Sequence, residues 1–477
     1  MKLLVANRGE IAVRVLRAAR EQGFSTVAVY SEADRGGIHV GLADESVCIG
    51  GAAPAESYLN VAALLGAAAT TGATAIHPGY GFLSESAPFS RAVGDAGLLF
   101  IGPAPEAIAT MADKTAARAA MDAAGVPVLP GVDSDDPRAI TALGFPLLVK
   151  AVAGGGGRGM RLVRAAGELP DAIAAARAEA LAAFGDGRLY AERLVEQARH
   201  VEVQVLGDRA GAVVAVGARE CSVQRRGQKL LEETPVPGLP DATLAAMEAA
   251  AVRAAAAVHY VGAGTVEFLL APDGNFWFLE MNTRIQVEHG VTELVTGLDL
   301  VAQQFRLAMG ESVPAVPPVR GHAIEARIAA EDRDFLPCPG RVGHVAWPIG
   351  PGLRVDAGVA SGSDVPAAYD SLLAKVMAWA PDRETARARL GRALGELQLD
   401  GVPTTAALLA AVLQTEAFAA GAIHTRWLED FAASRGPDER ALAAIAAAWA
   451  FQQEHPASEV ATSTDVPTPW RTLGRWP

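Results

Sequence analysis

Leu147-Leu148-Val149-Lys150-Ala151-Val152-Ala153-Gly154-Gly155-Gly156-Gly157-Arg158-Gly159-Met160-Arg161-Leu162-Val163 is the stretch on which the fold turns. The apolar run over 145–152 reads as a strand, and Arg161-Leu162-Val163 opens another. Gly154, Gly156 and Gly159 match GxGxxG by letter, but a dinucleotide site needs a helix directly after them, and here a strand follows. No GxxxxGK[ST] occurs, which excludes a P-loop. Strand, glycines, strand is a hairpin, and glycine lets it bring backbone N–H groups up to a polyphosphate. A loose surface hairpin is the alternative that the glycines alone leave open.

Outward from the hairpin, residues 1–110 alternate strand and helix. Residues 2–6 read as a buried strand. Ile11, Val13, Val15, Leu16 and Ala19 form a helical pattern over 10–22, closed by Gly23. Residues 26–30, 73–77 and 98–101 read as further strands. The alternation implies a doubly wound parallel sheet. The first strand–helix turn, Asn7-Arg8-Gly9-Glu10, lacks GxGxxG spacing, so no dinucleotide is expected there. A helix is expected over 111–124, stopping at Gly125. Ala-rich helices over 171–184 and 241–259 flank strands near 201–206, 212–217, 265–270 and 276–281. Pro314, Pro317 and Pro318 mark a linker over 312–319, and 320–432 mixes strands and helices. The stretch 434–477 reads as a helix and a mobile tail.

The 477 residues amount to about three domains at roughly 150 residues each. The expected divisions are 1–110, 111–315 with a lid over about 128–195, 316–435, and a tail over 436–477. A net charge of −13 argues against a nucleic-acid partner. The absence of a long apolar run argues against a membrane span. Three scattered cysteines, with no CxxC, suggest neither a disulfide framework nor a zinc site and fit a reducing cytoplasm. Lysine is rare: Lys2, Lys114, Lys150, Lys229 and Lys375 stand against 36 arginines among 41 basic residues. Lysines kept against that bias are candidates for places that need a compact ammonium rather than a planar fork.

Two further constellations carry chemistry. Glu267 lies on one expected strand, and Phe276-Trp277-Phe278-Leu279-Glu280-Met281-Asn282-Thr283-Arg284 makes another. Strand alternation sends Glu280, Asn282 and Arg284 to one face. Two carboxylates and an amide oxygen suit Mg²⁺, or a structural ion-pair network. Glu220-Cys221-Ser222-Val223-Gln224-Arg225-Arg226-Gly227-Gln228-Lys229 is a basic cluster in an acidic chain. Alone it reads equally as a solvated loop. With Arg284, Gln286, Val287 and Glu288 it offers an anion pocket beside a carboxylate base.

Together, Asn7-Arg8-Gly9-Glu10-Ile11-Ala12, His77-Pro78-Gly79-Tyr80-Gly81-Phe82-Leu83-Ser84-Glu85, the glycine hairpin, Gln224-Arg225-Arg226, and Glu280 through His289 resemble the biotin carboxylase family, in family order, from residue 1 to about 432. The resemblance implies an α/β fold: an N-terminal doubly wound parallel sheet, an ATP-grasp domain with a Gly-rich lid, and a C-terminal α+β domain. It implies a ligase that carboxylates biotin with bicarbonate and ATP through carboxyphosphate, the first half-reaction of an acyl-CoA-type carboxylase. Lys114, Lys150, Glu192, His200, Gln224 and Leu269, with Gly155, Gly156 and Gly157, match ATP positions. Glu267, Glu280 and Asn282 match the Mg²⁺ (or Mn²⁺) positions. Lys229, Arg284, Gln286 and Val287 match the bicarbonate pocket, with Glu288 as base. Arg354 matches the arginine that steadies the biotin enolate, and Tyr80 a residue near the biotin.

No Met-Lys-Met carrier motif is present, and Lys375 in Ala374-Lys375-Val376-Met377 sits in an apolar strand. The resemblance therefore implies a separate biotin carboxyl carrier protein and a carboxyltransferase. A homodimer is also implied; Arg17 and Glu21, four apart on one face of the first helix, are candidates to meet Trp379 and Arg383 across a two-fold axis, the alternative being a surface ion pair and a core tryptophan. Ala153, Gly227 and Gly290 depart from the family pattern, the last two where histidine and proline are frequent. The rival readings are another ATP-grasp ligase, such as a carbamoyl-phosphate or purine-pathway enzyme, and a non-catalytic scaffold.

Overall fold

Residues 1–152 and 160–434 are described by the computed structural model. Lys2–Val5 (β1), Ser25–Tyr30 (β2), Glu45–Cys48 (β3), Ala75–His77 (β4) and Leu99–Phe100 (β5) pair in parallel, in the order β3-β2-β1-β4-β5. The helix Gly9–Glu21 buries Ile11, Val15 and Leu16 against this sheet, as its apolar period requires. β3 escapes sequence reading because it is an edge strand, Glu-Ser-Val-Cys, with Glu45, Ser46 and Cys48 exposed. The helix expected over 111–124 is two helices, Pro105–Ala112 and Lys114–Ala123. Asp113 separates them, taking the second helix's Thr115 and Ala116 N–H groups on its carboxylate at 2.9 Å each.

Gly131–Val132 (β6), Leu147–Ala151 (β7), Arg161–Val163 (β8) and Leu189–Arg193 (β9) form an antiparallel sheet in the order β6-β9-β7-β8. β7 and β8 are the two arms expected around the glycines. Ala153 through Gly159, which include Gly155, Gly156 and Gly157, lie outside the described residues, as does the tail beyond 434. An eight-stranded sheet follows, built from Arg199–Gly207 (β10), Val213–Arg225 (β11), Gln228–Thr234 (β12), Gly262–Leu270 (β13), Phe276–Asn282 (β14) and His322–Ala329 (β15), then Leu353–Ala357 and Leu372–Ala380. Its order is β14-β13-β10-β11-β12-β15, then Leu372–Ala380, then Leu353–Ala357. One sheet thus runs from β14 past the linker at 312–319 into the C-terminal strands. The basic cluster 220–229 is no loop: it is the end of β11, a tight turn at Arg226-Gly227 and the start of β12, with Gln224 opposite Lys229. Arg226 and Gly227 carry positive φ there, at 51° and 83°.

Loops after β1 and β4 are locked together. Asn7 Nδ2 donates to the carbonyls of Pro78 and Tyr80, at 2.7 Å each. A Cβ on Gly79 would lie 2.8 Å from that nitrogen, and Gly79 has φ +64°. His77, fully buried, accepts from Gly79 N at 2.9 Å, and its Nε2 lies 3.1 Å from Gln304 Oε1. Burial lowers its pKa to about 4, against the Gln304 contact and with Arg14 assisting. From the ordinary value of 6.5 down to about 4, the unfolded chain binds a proton that the folded chain refuses. This contribution to stability is complete above 6.5 and is lost as pH falls toward 4. Urea midpoints should show His77→Gln losing up to about 3 kcal/mol of wild type's acid destabilisation across that window.

Among the described residues, Cys48, Cys221 and Cys338 are free thiols, and no helix is long and apolar enough to cross a membrane.

Candidate active site

Register across the large sheet assembles the acidic row. Glu267 on β13 stands opposite Glu280 on β14 and opposite Glu202 on β10; Glu202 in turn stands opposite Arg219 on β11. Asn282 stands opposite Thr265, two residues from Glu267. Directly opposed residues share a face, so the expected grouping of Glu267, Glu280 and Asn282 is realised.

Lys229 reaches this row from β12. Its Nζ lies 2.5 Å from Glu202 Oε2, 2.7 Å from Glu267 Oε1 and 2.8 Å from Glu288 Oε1. All four side chains are buried. Burial alone would lower the ammonium's pKa; Glu202, Glu267 and Glu288 outweigh it and raise it well above normal. Burial likewise pushes Glu288 up, but Lys229, Arg327 and Arg219 hold it well below the usual carboxylate range. Glu288 is therefore an anion, with Arg327 at 2.8 Å on its other oxygen. Arg284 donates to Asn282 Oδ1 at 2.5 Å, to Gln286 Oε1 at 3.0 Å and to Glu85 at 3.0 Å, and Gln286 donates to Glu267 at 2.9 Å. Lys229, Arg284, Gln286 and Glu288 thus form one connected cluster. Each of the four comes from a turn or strand end rather than from mid-strand apolar sequence.

The donor set fits a hard divalent cation. Glu267 is the leading cause, ahead of burial, of the raised pKa of Glu280, the mark of two carboxylates that a positive charge between them would relieve. Asn282 turns its NH₂ toward Glu267, at 3.2 Å, so service as an oxygen ligand requires its amide to turn over.

The expected ATP residues flank this row. His200 Nε2 lies 2.9 Å from Glu267 Oε2, and Gln224 Nε2 lies 3.2 Å from His200 Nδ1. Leu269 stands opposite His200. Lys150 pairs with Glu192 across β7 and β9. Lys114 opens the helix Lys114–Ala123; partial burial and then Lys150 lower its pKa, against Glu280 and Glu192. Two mutually repelling lysines beside acidic groups are a ready receptacle for a polyphosphate.

The C-terminal strands bring a second cluster against the same loop. Arg354 pairs with Glu293 at 2.6 Å and with Asp356 at 2.7 and 3.1 Å. Tyr80 donates to Glu10. Val287 presents its carbonyl to Lys375 at 2.7 Å. Trp379 donates to the Arg320 carbonyl, and Arg383 is engaged by Glu233 and the Phe418 and Ala419 carbonyls within this chain. Arg17 and Glu21 are exposed.

Sequence reading missed Glu202, Arg219, Arg327 and Glu85. A signal was present: Val201-Glu202-Val203-Gln204-Val205 and Ala323-Ile324-Glu325-Ala326-Arg327-Ile328 place polar residues at strand period among apolar ones. That pattern reads as a solvent face, yet both faces of these strands are buried. Gly290 also finds its reason, because a Cβ there would lie 2.3 Å from Met377 Sδ. Gly290→Ala should cost about 1–3 kcal/mol, and Met377→Ala in the same chain should recover part of it in a double-mutant cycle of urea midpoints.

Family models match three successive segments: "Biotin carboxylase, N-terminal domain" over 1–108, "Carbamoyl-phosphate synthase L chain, ATP binding domain" over 113–316, and "Biotin carboxylase C-terminal domain" over 325–430. The central model is named for another enzyme, so the flanking pair decides. The chain belongs to the biotin carboxylase family. The biotin carboxylase of Nostoc sp. is 49% identical over 440 residues, 90% of this chain and 98% of that protein. A biotin carboxylase structure from Campylobacter jejuni, a complex described as β-γ-ATP, superposes with TM-score 0.86 at 43% identity, covering 90% and 98% of the two chains. The biotin carboxylase domain dimer of Hydrogenobacter thermophilus 2-oxoglutarate carboxylase, with MgADP, ADP and bicarbonate, gives 0.86 at 43%, covering 90% and 97%. In this member of the biotin carboxylase family, Lys229, Arg284 and Glu288 meet in one cluster, linked through Glu267 and Gln286.

Proposed function

We propose that this chain carboxylates biotin with bicarbonate and ATP, as the first half-reaction of an acyl-CoA-type carboxylase. The observation that carries this reading is Lys229, an ammonium held jointly by Glu267 of the nucleotide edge and by Glu288. Lys229 and Arg284 offer bicarbonate two cationic partners, and Gln286 with the Val287 backbone borders them. Glu288 takes the bicarbonate proton. As bicarbonate draws on Lys229, the charge that suppresses Glu288 weakens and its basicity rises. The bicarbonate oxygen then attacks the terminal phosphorus of ATP, giving carboxyphosphate and ADP. Carboxyphosphate breaks to CO₂ and phosphate, the phosphate takes the biotin ureido proton, and the ureido nitrogen attacks CO₂. Arg354 stabilises the ureido anion, and Tyr80 borders it.

Lys114, Lys150, Glu192, His200, Gln224 and Leu269 line the nucleotide, and the family resemblance assigns Gly155, Gly156 and Gly157 to it as well. Glu267, Glu280 and Asn282 would hold Mg²⁺ or Mn²⁺, which when bound neutralises phosphate charge. The assigned segments are 1–110, 111–315, 316–435 and 436–477. A biotin carboxyl carrier protein would present the biotin, and a carboxyltransferase would use the product, as the family resemblance implies. The dimer reported for the Hydrogenobacter domain supports a homodimer. Three free thiols support a reducing, cytoplasmic compartment.

ADP release should require bicarbonate and rise several-fold with free biotin. Release indifferent to biotin would instead favour another ATP-grasp ligase; ATP binding without turnover would favour a scaffold.

A further inference from the structure

Glu232 on β12 and Glu325 on β15 stand directly opposite each other, and both are buried. Directly opposed residues share a face, so two carboxyl groups meet here away from water. Among the described residues, none of their four oxygens has an aligned hydrogen-bond donor. Arg327 Nη2 lies 2.6 Å from Glu232 Oε1, but it aims its N–H at Glu288 Oε2, at 2.8 Å. Two buried carboxylates without donors are costly, and a proton on the pair relieves both.

Glu288 is the contrast. Lys229 and Arg327 both donate to it, so its anion is well held and a proton on it is not. Yet Glu288 and Glu232 each place an oxygen on the same guanidinium nitrogen. Two oxygens on one nitrogen are a short step apart, within a direct or one-water proton transfer. The electrostatics agree. Burial raises Glu232 to about 7, against Arg327 and Lys229 and with Glu288 assisting. Burial raises Glu325 well above the usual carboxylate range, against Lys375 and Arg327 and with Glu232 and Glu288 assisting. Cys221, facing from β11, is kept a thiol by burial and then by Glu202. The helix His289–Thr296 also packs against β12. Its His289 is engaged by the Gln286 carbonyl, and its Glu293 by Arg14 and Arg354.

We propose that Glu232 is the resting place of the bicarbonate proton, which Glu288 takes first and passes on beside Arg327. The inference rests on the carboxylase reading, with Glu288 as base. The O–H bond of bicarbonate breaks and one forms on the Glu288 carboxylate. That bond breaks in turn as one forms at Glu232, and the negative charge moves from Glu232 back to Glu288. Arg327 touches both groups, so a cation stays beside the charge throughout. A neutral Glu325 offers its own O–H to the ionised Glu232 and takes no part in the net transfer. The proton leaves Glu232 for water after the products depart. Glu288 can thus serve as base although its cations make it a poor holder of protons, because the proton comes to rest on a better one.

Glu232→Gln and Glu232→Asp, each in the full chain, test this beside wild type. Bicarbonate-dependent ADP release is measured against pH without biotin, holding the bicarbonate ion itself, not total carbonate, constant. Glu232 must be ionised to receive the proton, so wild-type kcat should rise with pH through about 7. Glu232→Gln should lose that limb and lower kcat about 10²-fold above it, the lower end for a lost proton acceptor. Its KM for ATP should stay near wild type. Glu232→Asp keeps a carboxylate but draws it back from Arg327, so the limb should persist and move to higher pH. That shift reads the same group even if Glu232→Gln does not fold. A limb that survives Glu232→Gln, or stays in place in Glu232→Asp while rates fall in parallel at every pH, would mark Glu232 as merely structural and overturn the proposal. A bicarbonate-dependent wild type with no limb near that pH would overturn it too, leaving the carboxylase reading intact. Wild-type ADP release that does not need bicarbonate would overturn the carboxylase reading itself, and this inference with it.

Discussion

Glu288→Gln is expected to lower biotin-dependent turnover by about 10²–10⁴-fold, the range of a lost general base. The substitution is nearly isosteric and falls on a side chain with no solvent exposure. It removes the negative charge that Lys229 and Arg327 share, yet neither cation is stranded. Lys229 keeps Glu202 and Glu267, and Arg327 keeps Glu232 at 2.6 Å. The variant should therefore fold and bind ATP at near wild-type strength, while bicarbonate-dependent ADP release collapses. Calorimetric titration with ATP and quenched-flow ADP assays would check both halves. Turnover within a few-fold of wild type would remove Glu288 from the base role and point to a second proton acceptor.

Lys229→Met should have the larger effect on the fold as well as on the chemistry. Three buried carboxylates, Glu202, Glu267 and Glu288, lose their shared partner. Breaking a buried pair from one side costs about 3–5 kcal/mol, because the remaining charge stays desolvated. Turnover should fall with it, since the bicarbonate pocket loses one of its two cations. The pH dependence has a definite sign. In wild type, Lys229 helps hold Glu267 and Glu288 below the ordinary value of 4.5. The stability this gives is present above that value and is lost as pH falls through the lower folded values. Urea midpoints of wild type and variant should therefore differ most near neutral pH and converge in acid. A gap that widened in acid would contradict the ion-pair arrangement.

The departures between reading and structure have two causes. Lys114 through Ala123 was legible as helix, but the break at Asp113 was not, because a side chain capping two N–H groups interrupts an apolar period without altering its letters. Taken alone, the cluster 220–229 left a solvated loop open beside the anion pocket, because a run of charges does not tell whether it meets water. In the fold, Lys229 and Gln224 face a buried row, and the turn is confined to Arg225 through Gln228. Glu202 and Arg327 were missed for the same reason. Period two tells which residues share a face, and it does not tell whether that face meets water or another layer of protein.

By itself, then, the sequence determined the parallel N-terminal sheet, the strand pair that brackets the glycines, the shared face of Glu280 and Asn282, and the residue types of the family motif. Each of these is set by a local period or an unbroken run of letters. Tertiary structure alone decided that Lys229 would also meet Glu202, 27 residues away, that Arg327 would take the second oxygen of Glu288, and that Lys375 would be buried against Val287. Those contacts depend on strand order in the large sheet and on which faces are covered, and a buried charge is retained only where the fold supplies its partner.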